Sequence, residues 1–502
     1  MHNHSDDLYY RDIWIDTNQE LVIYMPESCD VCKSEGFQAL TRVEVWFGAK
    51  SIIAALNITQ DGLLGNGEVA LSLSAKKKLN VKDGDLLKVR HTDPLVSIGY
   101  IRAKLYGNAL DQAAYDAIIR DIADEKYSNV FITAFVSACS GRNMSIEEIC
   151  YLTQAMINVG NRMSWDKEVV ADKHCIGGLP GNRTTMIVVP IIASLNIPIP
   201  KTSSRAITSP AGTADTMEVL TNVTLDMAEL QAIVAKENGC IAWGGAVKLS
   251  PADDIIIRIE RALDIDSEAQ MIASILSKKV AAGSTHCVID IPIGSTAKVR
   301  DMDSARQLAV QMEAVAKYVG LKIKILFSDG NQPVGEGIGP ALEARDVLKV
   351  LRNNSDAPED LKKRALTLAS AIVQLTMDKS AEEADRLVTE QLNTGAAYKK
   401  LKAICIAQGG FKEPAQAMFS QSITAGSDGT VTKIDNRKVA RLAKLAGAPD
   451  TPEAGLDFKV KLGQAIRAND ELFIIYAGSK GELNYAMDYF KSNQGQIIQI
   501  DL

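Results

Sequence analysis

Two short stretches of this chain carry residues able to hold an anion. The first, DKHCIGGLPGN at 172–182, sets Lys173 and His174 just ahead of a loop with three glycines. Gly177 and Gly178 let its backbone turn tightly and present amides to a ligand. Thr185 follows, close to where an apolar run begins. The second stretch, SSRAITSPAGT at 203–213, offers hydroxyls on Ser203, Ser204, Thr208, Ser209 and Thr213, with Arg205, Ala206 and Ile207 between them. Hydroxyls, amides and a cation at the opening of a helix suit phosphate oxygens. Arg183 and Lys201 lie near the same loops and add two further cations, which together suggest a phosphate pocket. Two ordinary strand–loop–helix connections would account for the glycines alone; the Lys-His pair and the row of Ser and Thr favour binding.

Such loops need strands behind them and helices in front. Val169–Ala171 reads as a short buried strand and Thr184–Leu195 as an apolar helix with a kink at Pro190. The pattern repeats with a strand over Ile197–Thr202, a polar loop, and a helix from Thr213. Alternation returns after residue 284, with strands over Val288–Ile291 and Lys322–Phe327 and helices over Ala305–Val319, Pro340–Arg352, Leu361–Leu375 and Ser380–Thr394. Between the first of these strands and its helix, the loop 294–298 offers Lys298 toward the same crevice.

Residues 1–90 read instead as short strands over Asp12–Ile15, Gln19–Tyr24, Thr41–Phe47, Ser51–Ile58, Val69–Leu73 and Leu86–Val89. From about 97 to 165 the period is helical, with Ser145 and Glu148 spaced as a capping box. From about 416 the chain ends in a small β-rich domain, with strands over Gly429–Ile434, Phe458–Val460 and Leu472–Tyr476.

Two more helices carry candidates. Ser250-Pro251 opens one with Asp253 and Asp254 in its first turn, where carboxylates are caps and dipole partners more readily than catalytic acids. Arg258 follows on it, spaced to pair with Asp254. The other, Glu268–Ala281, puts Ser274 and Lys278 four residues apart on one face, able to bond a flat base edge or a phosphate oxygen, or to stand as a solvated polar face. Asp266 precedes it, where a plain N-cap is also a reading.

Composition narrows the classes. A chain of 502 residues needs about three or four folding units. A net charge of −7 without a basic block argues against nucleic acid, so the lysines and arginines near the loops act on a small anion. The start, MHNHSDDLYYRD, lacks the apolar core of a signal peptide, and no run of about 18 apolar residues offers a membrane span, so a cytoplasmic address without membrane contact is expected. Eight cysteines show no framework spacing; Cys29 and Cys32 form a lone CxxC, read as reduced loop thiols for want of a second half-site.

These motifs, in this order, resemble the thymidine/pyrimidine-nucleoside phosphorylase family: DKHCIGG, PKTSSRAIT, AGTAD, SPADD at 250–254, ASILSKK at 273–279, DGNQPVGEGIGPALEA at 329–344 and GTVTKID at 429–435. Within it the likeness is to the branch containing AMP phosphorylase, which shares the SSRAIT wording and an extra N-terminal domain. The resemblance implies a multidomain α/β fold. Its parts would be a β-barrel-like domain over 1–90, similar to double-psi barrels, and a discontinuous all-helical domain over 97–165 plus 250–283. A central mixed α/β sheet domain over 166–249 plus 284–415 and a small β-rich α+β domain over 416–502 would complete it.

The resemblance also implies a pentosyltransferase that uses phosphate as co-substrate, no metal or organic cofactor, and a homo-oligomer. Lys173, Gly177, Gly178, Thr185, Ser203 and Thr213 would cradle phosphate; Arg258, Ser274 and Lys278 would meet the base; and Asp266 would be the proton donor. His174 could donate to a pyrimidine oxygen or orient the loop. Cys175 stands where the family has a phosphate-contacting Ser, and a thiol is the weaker donor.

The hydroxyl-rich second loop with Arg205 favours a nucleoside 5′-monophosphate such as AMP, giving free base and ribose 1,5-bisphosphate. Thymidine is the alternative substrate, and a nucleotide-binding protein that has lost catalysis is a third reading. Anthranilate phosphoribosyltransferases share the fold type, but the chain lacks the diphosphate-binding glycine motif they would require.

Overall fold

The computed structural model describes residues 7–29, 36, 41–60, 62–141, 143–206, 209–265 and 267–501. Cys32, Ile207, Thr208 and Asp266 fall outside these ranges, so the CxxC reading and part of the second loop are not described. The chain divides into two units. One comprises residues 1–155 and 252–267, the other 156–251 and 268–502.

Alternating apolar residues in the first ninety positions close a barrel. Its strands are Asp7–Arg11, Val22–Pro26, Arg42–Phe47, Lys50–Thr59, Glu68–Leu71 and Leu86–His91. Around the ring they run first, fifth, second, fourth, third, sixth. The first pairs in parallel with the fifth and the second with the fourth, while the other neighbours are antiparallel. Exchanging the first three strands for the last three reproduces this pattern, so the barrel is two interlocked halves. Leu8, Tyr10, Ile23, Met25, Val43, Val45, Leu56 and Leu87 fill it.

The strand expected over Asp12–Ile15 lies earlier, at Asp7–Arg11, and the one expected over Gln19–Tyr24 is shifted to Val22–Pro26. Trp14, Asn18 and Gln19 adopt positive φ (54°, 51° and 71°), which makes 12–19 a turn and moves the strands to either side. The strand expected over Val69–Leu73 stops at Leu71, because Ser72 caps a helix over Leu73–Leu79 by accepting from Ala75 N.

In the same unit, helices span Ser97–Leu105, Gln112–Ala123, Asn129–Ala138, Ile146–Val159 and Pro251–Leu263, the fourth running a turn past the unit's boundary. The capping box is reciprocal: Glu148 N donates to Ser145 Oγ and Ser145 N to Glu148 Oε2, both at 3.2 Å. The same carboxylate takes Lys104 Nζ at 2.6 Å, Leu110 N and Tyr115 OH, so one cap residue also pins three helices.

The second unit holds the loops. Ala171–Cys175, His286–Ile293 and Lys322–Asp329 form one parallel sheet, with Ile199–Ser203 and Gly239–Trp243 paired in parallel beside it. The two edges meet where Ala171 N donates to Pro198 O at 2.8 Å. Every ladder in this sheet region is parallel, and in such sheets ligands gather at the carboxyl ends of the strands. The helix Thr185–Ser194 is almost wholly apolar and buried from Thr185 to Ala193, Pro190 included.

Glu268–Ala281 belongs to this unit, not to a helical domain reaching residue 283. Lys279 holds it to Asp172, and Ala281 O accepts from Met163 N at 2.8 Å. A helix over Ala396–Ala407 was not foreseen. The C-terminal part is α+β, with helices Asn436–Leu445 and Lys480–Ser492 against its strands, and the strand expected at Phe458–Val460 lies at Gly455–Phe458. Strand Gly337–Ile338 pairs with Gly455–Phe458, stitching this part to the sheet region.

Candidate active site

Lys173 lies midway along the strand Ala171–Cys175, opposite Val288 of the neighbouring strand. Its side chain is fully buried, with Nζ 2.8 Å from Thr184 Oγ1 and 3.4 Å from Thr185 Oγ1. Burial lowers its pKa, with Cys175 and Asp290 opposing. Three other buried cations nearby each have a carboxylate. Lys201 and Lys279 share Asp172, and Arg183 is paired with Glu343. Among the described residues Lys173 meets hydroxyls and no carboxylate within ion-pair distance. A buried ammonium so placed is costly until an anion joins it.

The cations of the proposed pocket thus divide. Arg183 donates to Glu343, to Thr213 Oγ1 at 3.3 Å and to Ala211 O, which ties the second loop to the helix Pro340–Leu351. Lys201 Nζ donates to Asp172 Oδ1 at 3.1 Å and to Lys173 O at 2.6 Å. Both are structural here, which corrects their place in the pocket.

Arg205 is also engaged. Its guanidinium meets Glu218 through both terminal nitrogens and Asp215 Oδ1 at 3.4 Å, and lies 5.0 Å from the Trp243 ring centroid. Asp215 further accepts from Ala206 N at 2.6 Å and Gly212 N at 2.8 Å. The second helix, Thr213–Glu218, has only six residues, and an internal carboxylate occupies the backbone donors at its start. Ser209 Oγ donates to Ala211 O and Ser203 Oγ to Ser204 O. Ser203 and Ser204 are partly or fully exposed.

The first loop is shaped by two glycines. Gly178 has φ +98°, and a β-carbon there would lie 3.3 Å from Lys298 N, so the loop 294–298 is brought against it. Gly181 has φ +72°, and a β-carbon would meet Val334 O at 2.3 Å. Gly177 is exposed, with open space at its β-carbon position.

Cys175 does not point a free thiol at this loop. Its Sγ donates to Asp290 Oδ2 at 3.4 Å and accepts from Asn182 Nδ2 at 3.2 Å. Burial and then Asp290 push the thiol up to about 12, so it stays protonated. Asp290 also accepts from Ser328 Oγ, and Arg364 Nε lies 3.7 Å away. Asp290, Ser328, Arg364 and Asn182 were not singled out in the sequence. The DGN motif beginning one residue after Ser328 was the nearest signal.

His174 is partly buried. Burial, with Lys279, Lys201, Lys173 and Lys278 around it, holds it well below the usual histidine range. It is therefore a neutral imidazole with one N–H to give. Lys278 acts on it from the helix Glu268–Ala281, on which Ser274 lies one turn earlier. Arg258 lies in the other unit, where NH1 donates to Gln19 Oε1 at 3.2 Å.

Residues 98–160, 167–398 and 430–495 match three family models. They are described as the glycosyl transferase family helical bundle domain, the glycosyl transferase family a/b domain, and the pyrimidine nucleoside phosphorylase C-terminal domain. Two anthranilate phosphoribosyltransferases share the fold. The enzyme of Thermus thermophilus has a TM-score of 0.52 at 16% identity over 61% of this chain and 98% of its own, and that of Saccharomyces cerevisiae 0.51 at 14% over 63% and 99%. The fold and these domains define an enzyme, a pentosyltransferase of the phosphorylase type.

A Hahella chejuensis protein named "Putative thymidine phosphorylase" is 51% identical over 98% of this chain and 97% of its own length. A Legionella pneumophila protein of the same name is 50% identical over 98% and 95%. The chain belongs to the pyrimidine nucleoside phosphorylase family. Among the described residues no helix is long and apolar enough to cross a membrane.

Proposed function

We propose that this enzyme cleaves the N-glycosidic bond of a pyrimidine nucleoside with inorganic phosphate. A phosphate oxygen bonds to C1′ of the pentose, the C1′–N bond breaks, and its electron pair leaves with the base, which then takes a proton. The observation that carries the reading is Lys173, whose buried Nζ meets two hydroxyls and, among the described residues, no carboxylate within ion-pair distance, so that an arriving phosphate would hold it charged. His174, kept neutral, offers an N–H to a base oxygen, and Lys278 stabilises the charge that develops there. Asp266 is assigned the proton transfer. The proposed reaction uses no metal or organic cofactor.

A nucleoside 5′-monophosphate such as AMP is the second reading, favoured by the hydroxyls of Ser203, Ser204 and Ser209. The hold of Glu218 and Asp215 on Arg205 leaves that loop less charge for a second phosphate, and so supports the bare nucleoside.

The test is free-base release from thymidine, uridine, CMP and AMP, with and without phosphate. A pyrimidine nucleoside should react only with phosphate present, and chelation should leave the rate unchanged. Release without phosphate would sink the reading, and AMP reacting at least about ten times faster than thymidine, a difference near 1.4 kcal/mol, would transfer it to the nucleotide. Asp266→Asn should lower turnover by about two orders of magnitude, the range of a general acid.

A further inference from the structure

Asp172 is among the buried charged groups that the mechanism above leaves without a task. It is 0% exposed and lies at the meeting point of three elements. Its Oδ1 accepts from Lys201 Nζ on the neighbouring strand at 3.1 Å and from the Lys173 amide at 2.6 Å. Its Oδ2 takes Lys279 Nζ from the helix Glu268–Ala281 at 2.8 Å and Ser284 Oγ at 3.4 Å. Lys201 Nζ in turn donates to Lys173 O, so the peptide of Lys173 is held from both sides whatever its own side chain is doing.

We propose that Asp172 is a positioning residue that fixes the distance between the phosphate-binding lysine and the helix facing the leaving base. This rests on the phosphorolysis reading. Three charges in a dry interior are a poor route to stability, because apolar residues of the same volume would serve as well. What they add is direction. Successive residues on a helix stand about 100° apart, so anchoring Lys279 inward sets the azimuth of Lys278 and of Ser274 above it. Burial would raise the Asp172 carboxyl, but Lys201 and Lys279 outweigh it and hold the group below its usual range, so the anchor is charged. A shift of about 1 Å between two reacting partners costs on the order of a hundredfold in rate without removing either partner.

Lys279→Met tests this, with Asp172→Asn/Lys279→Met as the variant that leaves no unpaired carboxylate. Kinetic constants are taken per folded molecule, and amide exchange is followed over 268–281 and 185–194. Lys279→Met should lower kcat by about thirtyfold or more while the KM for phosphate stays within about threefold, because Lys173 is untouched. The double variant should lose no more kcat than the single one, since the two residues act as a unit. Exchange should quicken over 268–281 and not over 185–194. An unchanged kcat in folded Lys279→Met, a double variant that loses clearly more kcat than Lys279→Met, or unchanged exchange would overturn the proposal. Wild-type protein that releases no base, with exchange still quickened in the variant, would sink the phosphorolysis reading and leave the anchor standing.

Discussion

The loops at 175–182 and 203–213 follow the same plan, strand then polar loop then helix, yet they end in opposite electrostatic states. The first leaves Lys173 buried against two hydroxyls. The second folds Asp215 back onto its own amides and places Glu218 on Arg205. The cations flanking each are distributed the same way: Lys201 and Arg183 serve carboxylates, and Lys173 serves none among the described residues. An anion site is therefore marked by the cation left unneutralised when every internal pair has formed, and counting basic residues near a glycine loop does not locate it.

Lys173→Met should have the largest effect. The kcat/KM for phosphate should fall by about a hundredfold or more, as on removal of a donor to developing charge, while the melting temperature holds or rises because a buried charge is gone. A loss below about tenfold would mean the two loops share the anion after all.

Glu218→Gln attacks the comparison from the other side. Releasing Arg205 from a half-exposed pair should lower the KM for a phosphate-bearing nucleoside by up to about fivefold, the worth of one surface ion pair. No change in KM for AMP or CMP would show that the second loop takes no substrate phosphate at all.

Lys201 gives a pH signature. Burial, partly offset by Asp172, brings it down to about 7, whereas unfolded it would keep its proton to its ordinary value of 10.5. Between those values the unfolded chain binds more protons, so this residue makes stability rise with pH and fall again as pH drops toward 7. Melting temperature against pH should climb less steeply through that window in Lys201→Met than in the wild type. Parallel curves would show that Lys201 keeps its proton throughout.

Cys175→Ser should change least. A hydroxyl would keep the bond to Asp290 as a stronger donor, and the KM for phosphate should stay within about threefold or improve. A large rise would give the thiol a specific task.

The sequence carried the units of the fold well where a period ran long. Glu268–Ala281 and Gly429–Ile434 lie where apolar spacing placed them. It failed where a single residue turned the chain, as at Trp14 and Gln19, because a positive φ leaves no trace in hydrophobic alternation. Of the site, Lys173 and its loop were legible in motif and spacing. Asp290 and Glu343 were not, since each lies more than a hundred residues from the side chain it meets, Cys175 and Arg183, and Arg364 reaches the site only through its contact with Asp290. Nor could spacing show that Arg205 would be occupied by residues 10 and 13 positions on.

The division of the chain also sets a schedule for synthesis. The helices up to residue 155 complete their unit only with residues 252–267, which leave the ribosome about a hundred residues later, some 5–20 s at ordinary elongation rates. Until then the side chains that cover Ile256 and Ile259 face water. The barrel closes on residues 7–91 alone and needs no such delay. A nascent chain stalled between 160 and 250 thus holds a finished barrel followed by an unfinished bundle, and that interval is when chaperones have most to shield.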